Sequence, residues 1–141
     1  MTDDSQQVWT DYYARQRRRR IAEAQILHSQ MVADGVTDDT ILALDFMHFG
    51  NVEDDVRRLA NQLSENYVMT VTRGRNAGYW NAEGTSRPNG IDGMNAQRCA
   101  DWVAFMCDVA SSYGCVFSTW TLTDPVRQLL WRNEMINIDP E

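Results

Sequence analysis

Lysine is absent from this chain of 141 residues, and histidine and cysteine are scarce. All thirteen basic residues are arginines, and there are only two histidines, His28 and His48. No apolar run approaches the roughly 18 residues that are needed to cross a bilayer. The first residues are polar and acidic with no apolar stretch behind them, unlike a secretory signal. We therefore expect a cytoplasmic protein that has no membrane partner.

The three cysteines, Cys99, Cys107 and Cys115, are an odd number and form no Cys-x-x-Cys pair. Cys99 and Cys107 stand eight residues apart on a predicted helix, which is too far along it for a disulfide. The two histidines are too distant in sequence to complete a metal site. We expect reduced, buried thiols that pack as small apolar groups, and neither a metal nor another cofactor.

The net charge of −7 argues against a protein that binds phosphate backbones irrespective of sequence. We therefore expect nucleic acid to be involved only indirectly. Five arginines nevertheless cluster between Arg15 and Arg20. This run is either a solvated helix face or a contact for nucleic acid, an acidic protein or a membrane surface.

Hydrophobic periodicity divides the chain into helices and strands. The first helix spans about residues 5–32 and ends at Gly35, and a strand covers 40–49. Asn51 is the expected N-cap of a helix that runs to about residue 66. Two strands at 67–72 and 79–85 form a hairpin, and a helix at 95–113 and a strand at 115–123 follow. The tail from Val126 suits one short helix.

The order after the first helix is β-α-β-β-α-β, which is typical of the ferredoxin-like arrangement. We therefore predict an α+β fold, a four-stranded antiparallel sheet with two helices on one face. The added N-terminal helix, 1–33, either covers the other sheet face or pairs with a second subunit as a homodimer. The ferredoxin-like domain is expected at 34–125, and a C-terminal tail with the short helix at 126–141.

Residues 34–125 contain a series of short motifs: Asp34-Gly35 with Asp38-Asp39, the strand end His48-Phe49, an acidic helix start, Tyr67, the helix end Tyr113, Phe117-x-x-Trp120 and Asp124-Pro125. In their order and spacing these motifs resemble the bacterial ribonuclease E activity regulator B family. The resemblance implies a ferredoxin-like fold without catalytic residues. It also implies a cytoplasmic regulator that binds, and inhibits, the endoribonuclease that begins messenger RNA decay.

The chain departs from the family pattern in two places. Ser118-Thr119 stands where Asp-Gly is usual before the tryptophan. The acidic C-terminal tail of familiar members is replaced by an apolar tail with arginines, residues 126–138. If the acidic tail helps to hold an arginine-rich target, that contact is missing here, and the domain can be retained while its partner differs.

No catalytic constellation can be assembled from the sequence. His48 and Asp45 are three residues apart on a predicted strand, so their side chains point to opposite faces. There is neither a Gly-x-Ser-x-Gly elbow nor a Gly-Lys-Ser/Thr phosphate loop. The chain is therefore not expected to be an enzyme.

Two sets of residues are candidates for partner binding. Asp45, Glu53, Asp54, Asp55 and Glu65 are a possible acidic patch for an arginine-rich segment, although acids also complement the dipole at a helix start. Trp80 and Trp120, with Tyr79 and Phe117, suit either core packing or base stacking.

The leading hypothesis for the function is a regulator that binds a ribonuclease E-like enzyme. The alternatives are an immunity-type binder that neutralises a basic protein and a direct binder of single-stranded RNA.

Overall fold

The structure, a computed structural model, describes residues 2–75 and 78–136 and has an α+β fold. Its elements are α1 (Thr2–Ala33), β1 (Ala43–Gly50), α2 (Glu53–Leu63), β2 (Val68–Arg73), β3 (Trp80–Thr85), α3 (Ala96–Ser112), β4 (Val116–Asp124) and β5 (Leu129–Arg132). A short 3-10 helix follows at Asn133–Met135. The strands form an antiparallel sheet in the order β2-β3-β1-β4-β5. Among the helices of the described chain, none combines the length and apolarity of a membrane span.

The prediction of four strands is wrong, because the tail forms a fifth strand where a short helix was expected. The Asp124 carboxylate accepts hydrogen bonds from the backbone N–H groups of Val126 and Arg127 and turns the chain back. Gln128 completes the turn in the left-handed region, at φ 59°. Hydrogen bonds from Arg127 also hold the pKa of Asp124 below its usual range. β5 then pairs with β4, and Trp131 is buried in the core.

The long N-terminal helix is confirmed. Of its two expected placements, the one over the other sheet face is wrong, and pairing with a second subunit stays a prediction. α1 ends before Gly35, which has a φ of +96° that favours glycine. It packs against α3, and Ala24, Leu27 and Met31 enter the same core as α2 and α3. α1, α2 and α3 therefore lie on one side of the sheet, and within residues 2–75 and 78–136 no element covers the other side.

Side chains of β1 alternate between the two sides of the sheet, as period-two geometry requires. Leu44, Phe46 and His48 are buried beneath the helices, whereas Asp45 and Met47 point to the uncovered side and are half-buried. The predicted helices α2 and α3 are confirmed, and the side chain of Asn95 caps α3. Asn51 does not cap α2, because Val52 occupies the cap position and offers no side-chain acceptor.

A β-bulge in β4 is the point at which Asn133 of the C-terminal segment contacts both the sheet and α1. Met47 pairs with Thr119 and His48 with Phe117, so Ser118 is an extra residue. Asn133, which is 2% exposed, bonds the backbone of the bulge: its carboxamide oxygen accepts from Trp120 N–H at 2.8 Å, and its nitrogen donates to Ser118 C=O at 3.1 Å. The same nitrogen donates to Glu23 of α1 at 3.2 Å.

We predict that Asn133→Ala lowers the free energy of unfolding by about 2–3 kcal/mol, because it leaves buried backbone groups at the bulge without partners. Urea denaturation measures the loss. Asn61→Ala is the matched control, because Asn61 is exposed on α2 and its carboxamide bonds to no described residue; we expect a change within about 0.5 kcal/mol. Equal losses in the two variants would contradict this role of Asn133.

Candidate functional site: the uncovered sheet face

The uncovered side of the sheet carries a shallow depression of about 520 Å³ that crosses four strands. Its polar lining comes from strand residues whose side chains point away from the helices and from one residue of the 3-10 helix. They are Asp45 on β1, Thr70 on β2, Glu83 and Thr85 on β3, Thr119 and Thr121 on β4, and Glu134 beyond β5. This set, which we call the acceptor face, combines carboxylates with hydroxyl groups and suits a partner that presents hydrogen-bond donors.

The carboxylates of the acceptor face differ in how strongly the chain itself engages them. Asp45 accepts from Arg87 at 3.4 Å, and both side chains are substantially exposed. Glu83 accepts from the Thr72 hydroxyl at 3.3 Å. Glu134 makes no hydrogen bond or ion pair with another described residue. Glu83 and Glu134 thus keep acceptor capacity for an incoming guanidinium group, which binds carboxylates in a planar, bidentate manner.

The acidic residues singled out in the sequence do not form one patch. Asp45 is near the start of β1, whereas Glu53, Asp54 and Asp55 begin α2, beyond the far end of that strand. Glu53 pairs with Arg57 at 2.7 Å, and Asp55 lies 4.0 Å from Arg58. Asp54 is exposed and pairs with no described residue, and Glu65 is exposed beyond the end of α2.

The two tryptophans proposed for partner binding lie on the helix side of the sheet. Trp120 is 2% exposed and stacks on Phe117, with 5.4 Å between ring centroids. Trp80 is half-buried, and the guanidinium carbons of Arg57 and Arg73 lie 6.0 and 5.9 Å from its ring centroid. Neither ring presents an open stacking surface. Trp120 is a core residue, which is one of the two roles that the sequence left open for it.

His48 is fully buried on the helix side of the sheet, whereas Asp45 points to the opposite side. The two side chains therefore cannot act together as an acid–base pair. Its ring contacts Phe46 and Phe117, and neither nitrogen has a hydrogen-bond partner in the described part of the chain. Burial lowers the pKa of His48 to about 3.

Burial raises the pKa of the thiols of Cys99 and Cys115 to about 11 and of Cys107 to about 12, which leaves these free thiols protonated. Among the described residues, no three potential ligands converge on a metal position.

Much of the arginine run serves the fold rather than forming a free basic patch. Arg17 pairs with Asp108 of α3 at 2.9 Å. Arg20 donates to both oxygens of Glu23 at 2.8 and 3.0 Å, and Arg19 lies 3.7 Å from the same carboxylate. Sequence reasoning missed these pairings and also missed Glu83 and Glu134. The pairs of Arg19 and Arg20 with Glu23 had a local signal, the spacing of four and three residues along one helix. For Glu83 the signal was the alternation of β3, which needs the strand register before it places residues together.

We predict that stability falls by about 1 kcal/mol between pH 7.0 and 5.5 because of His48. Its folded pKa is about 3, so the unfolded chain, with a pKa near 6.5, takes up the proton first. The contribution of the neutral His48 to the free energy of unfolding is therefore fully present above the unfolded pKa of about 6.5, and it is lost as the pH falls toward 3. Urea denaturation at the two pH values measures the change.

His48→Leu should remove most of this pH dependence, whereas His28→Gln should retain it, because His28 lies outside this buried cluster. A wild-type protein whose stability is constant over the window would contradict the burial of an unpaired imidazole.

No protein-family model matches the chain, and a search of curated proteins finds no significant match. The resemblance to the ribonuclease E activity regulator B family therefore stands on the motifs of residues 34–125 alone.

Proposed function

We propose that this protein is a non-enzymatic regulator that binds an arginine-rich segment of a ribonuclease E-like endoribonuclease and thereby modulates RNA turnover. The observation that carries the proposal is the acceptor face, an uncovered sheet surface on which Glu83 and Glu134 keep free acceptor capacity. The family resemblance supplies the identity of the partner. The negative net charge favours association with a basic protein over association with RNA itself.

The fold supports this reading through its strand order. β3 lies between β1 and β2, and β1 lies between β3 and β4, so both helical connections are split β-α-β units. We propose that β1 to β4 with α2 and α3 represent the ferredoxin-like arrangement, to which α1 and β5 are additions. The additions lie on the helix side and at the β4 edge, and they leave the acceptor face accessible.

Binding on the acceptor face requires the partner to compete with Arg87 for Asp45. That pair is exposed and its N–O distance is 3.4 Å, so it contributes little, roughly 0–1 kcal/mol. A partner arginine can replace Arg87 and also reach Glu83 and the threonine hydroxyls. The partner's apolar side chains can cover Met47, which is half-buried within the same depression.

We predict that the purified protein slows RNA cleavage by the ribonuclease E-like enzyme of the same cell. The double variant Glu83→Gln/Glu134→Gln should raise the concentration needed for half-maximal inhibition by about three- to tenfold, because two charge-assisted contacts are lost. An RNA cleavage assay with titrated protein measures the effect. Unchanged cleavage at saturating wild-type protein would remove this function.

The matched control is Asp54→Asn/Asp55→Asn, which changes the net charge equally but lies at the start of α2. It also tests the alternative, an immunity-type binder of another basic protein, which the exposed, unpaired Asp54 favours. Inhibition that is weakened by the Asp54/Asp55 variant but not by the Glu83/Glu134 variant would contradict binding at the acceptor face.

A further inference from the structure

A second concave surface lies where the first half of α1 meets the ends of β1 and β4. It has a volume of about 350 Å³, near the lower end of the roughly 300–1,000 Å³ range of ligand pockets. We call it the aromatic groove and define it by Trp9, Tyr12, Tyr13, Arg15, Phe49 and Tyr79. It is separate from the acceptor face, and no part of the proposed regulation uses it.

The groove exposes more aromatic surface than packing alone explains. Trp9 is 58% exposed and Tyr79 is 43% exposed. Trp9 contacts Tyr12, and Phe49 contacts Tyr79, in each case edge to face with 5.9 Å between ring centroids. Two ring pairs thus line one groove. Exposed apolar surface of this kind marks a binding site for a ligand with an apolar body.

The polar groups of the groove are positively charged or neutral, and the fold does not use them. Arg15 is the charged residue of the lining, and it makes no hydrogen bond or ion pair with another described residue, unlike Arg17 and Arg20. The carboxamide of Asn51, which also lines the groove, has no hydrogen-bond partner among the described residues. The available guanidinium and amide donors therefore complement one anionic group.

A neighbouring depression repeats this combination of rings and arginine. It shares Phe49 and Tyr79 with the groove and contains Arg75, which is exposed and pairs with no described residue. Glu83 lines the same depression and makes it less favourable for an anion. Arg15 is therefore the better-placed of the two guanidinium groups for a negative charge.

We propose that the aromatic groove binds a small ligand that joins an aromatic body to one carboxylate. The ring of the ligand packs against the exposed faces and edges of Trp9 and Tyr79, and its carboxylate accepts hydrogen bonds from Arg15. One negative charge suits a chain of net charge −7, whereas a polyanion such as RNA is repelled by the remaining acids.

Isothermal titration calorimetry with 2-naphthylacetate and its uncharged analogue 2-naphthylacetamide tests the proposal at low ionic strength. We expect the wild-type protein to bind the carboxylate about fivefold more tightly than the amide, as an exposed ion pair allows. Arg15→Gln should remove this preference and leave the affinity for the amide unchanged. Trp9→Ala should weaken the binding of both compounds.

Arg132→Gln is the matched control, because it removes the same charge from β5, outside the groove, and should leave both affinities unchanged. Trp9 and Arg15 are exposed, so both variants should unfold thermally as the wild type does. Absence of binding at millimolar ligand, equal affinities for acid and amide, or a preference that survives Arg15→Gln would each overturn the proposal. Tighter binding of an eight-residue oligouridylate than of 2-naphthylacetate would overturn it in favour of single-stranded nucleic acid.

Discussion

The Glu23 carboxylate lies buried where α1 meets the sheet, and the placement of α1 depends on how its charge is compensated. Glu23 is 3% exposed, and it accepts hydrogen bonds from Arg20 and from Asn133. An unpaired buried carboxylate would destabilise the fold by several kcal/mol. Asn133 in turn bonds the bulge of β4, and Arg20 donates to Phe117 C=O at 3.3 Å. These contacts stabilise α1, β4 and the C-terminal segment as one unit.

A second set of contacts fixes the C-terminal end of α1 to the turn and strand that follow β4. Arg127 donates to Asp34 C=O at 2.7 Å, and the indole N–H of Trp131 donates to the Asp34 carboxylate at 2.8 Å. α1 is therefore held at both Glu23 and Asp34, on the side that α2 and α3 occupy. This arrangement leaves the acceptor face uncovered and places Trp9 and Tyr12 at the end of the sheet, where they form the aromatic groove.

Local patterns in the sequence were sufficient to predict the helices. α2 and α3 have apolar residues at steps of three and four, and Gly35 provides the left-handed residue that ends α1. Such signals depend only on neighbours along the chain. The burial of the three cysteines was expected because free thiols pack as small apolar groups, and it is confirmed. Trp120 is buried too, which agrees with core packing, one of the two roles expected for it.

Features that depend on distant parts of the chain could not be predicted in the same way. The run Leu129-Leu130-Trp131 suits either a short helix or a strand, and its pairing with β4 and the bond from Trp131 to Asp34 decide the outcome. The acceptor face depends on the strand register, including the extra residue Ser118. The contacts of Arg17 with Asp108 and of Arg20 with the Phe117 carbonyl likewise become visible only when α1 is placed against α3 and the sheet.

The short fifth strand also determines how one side of the sheet meets other molecules. An edge strand presents unpaired backbone groups that can template the addition of a foreign strand. β5 contains four residues, and the 3-10 helix at Asn133–Met135 ends it at once. Without β5, the nine-residue β4 would form that edge. β5 pairs with residues 121–124 of β4, and Asn133 bonds the Trp120 N–H and the Ser118 C=O next to them. The tail thus shortens the stretch of β4 that can pair with a foreign strand.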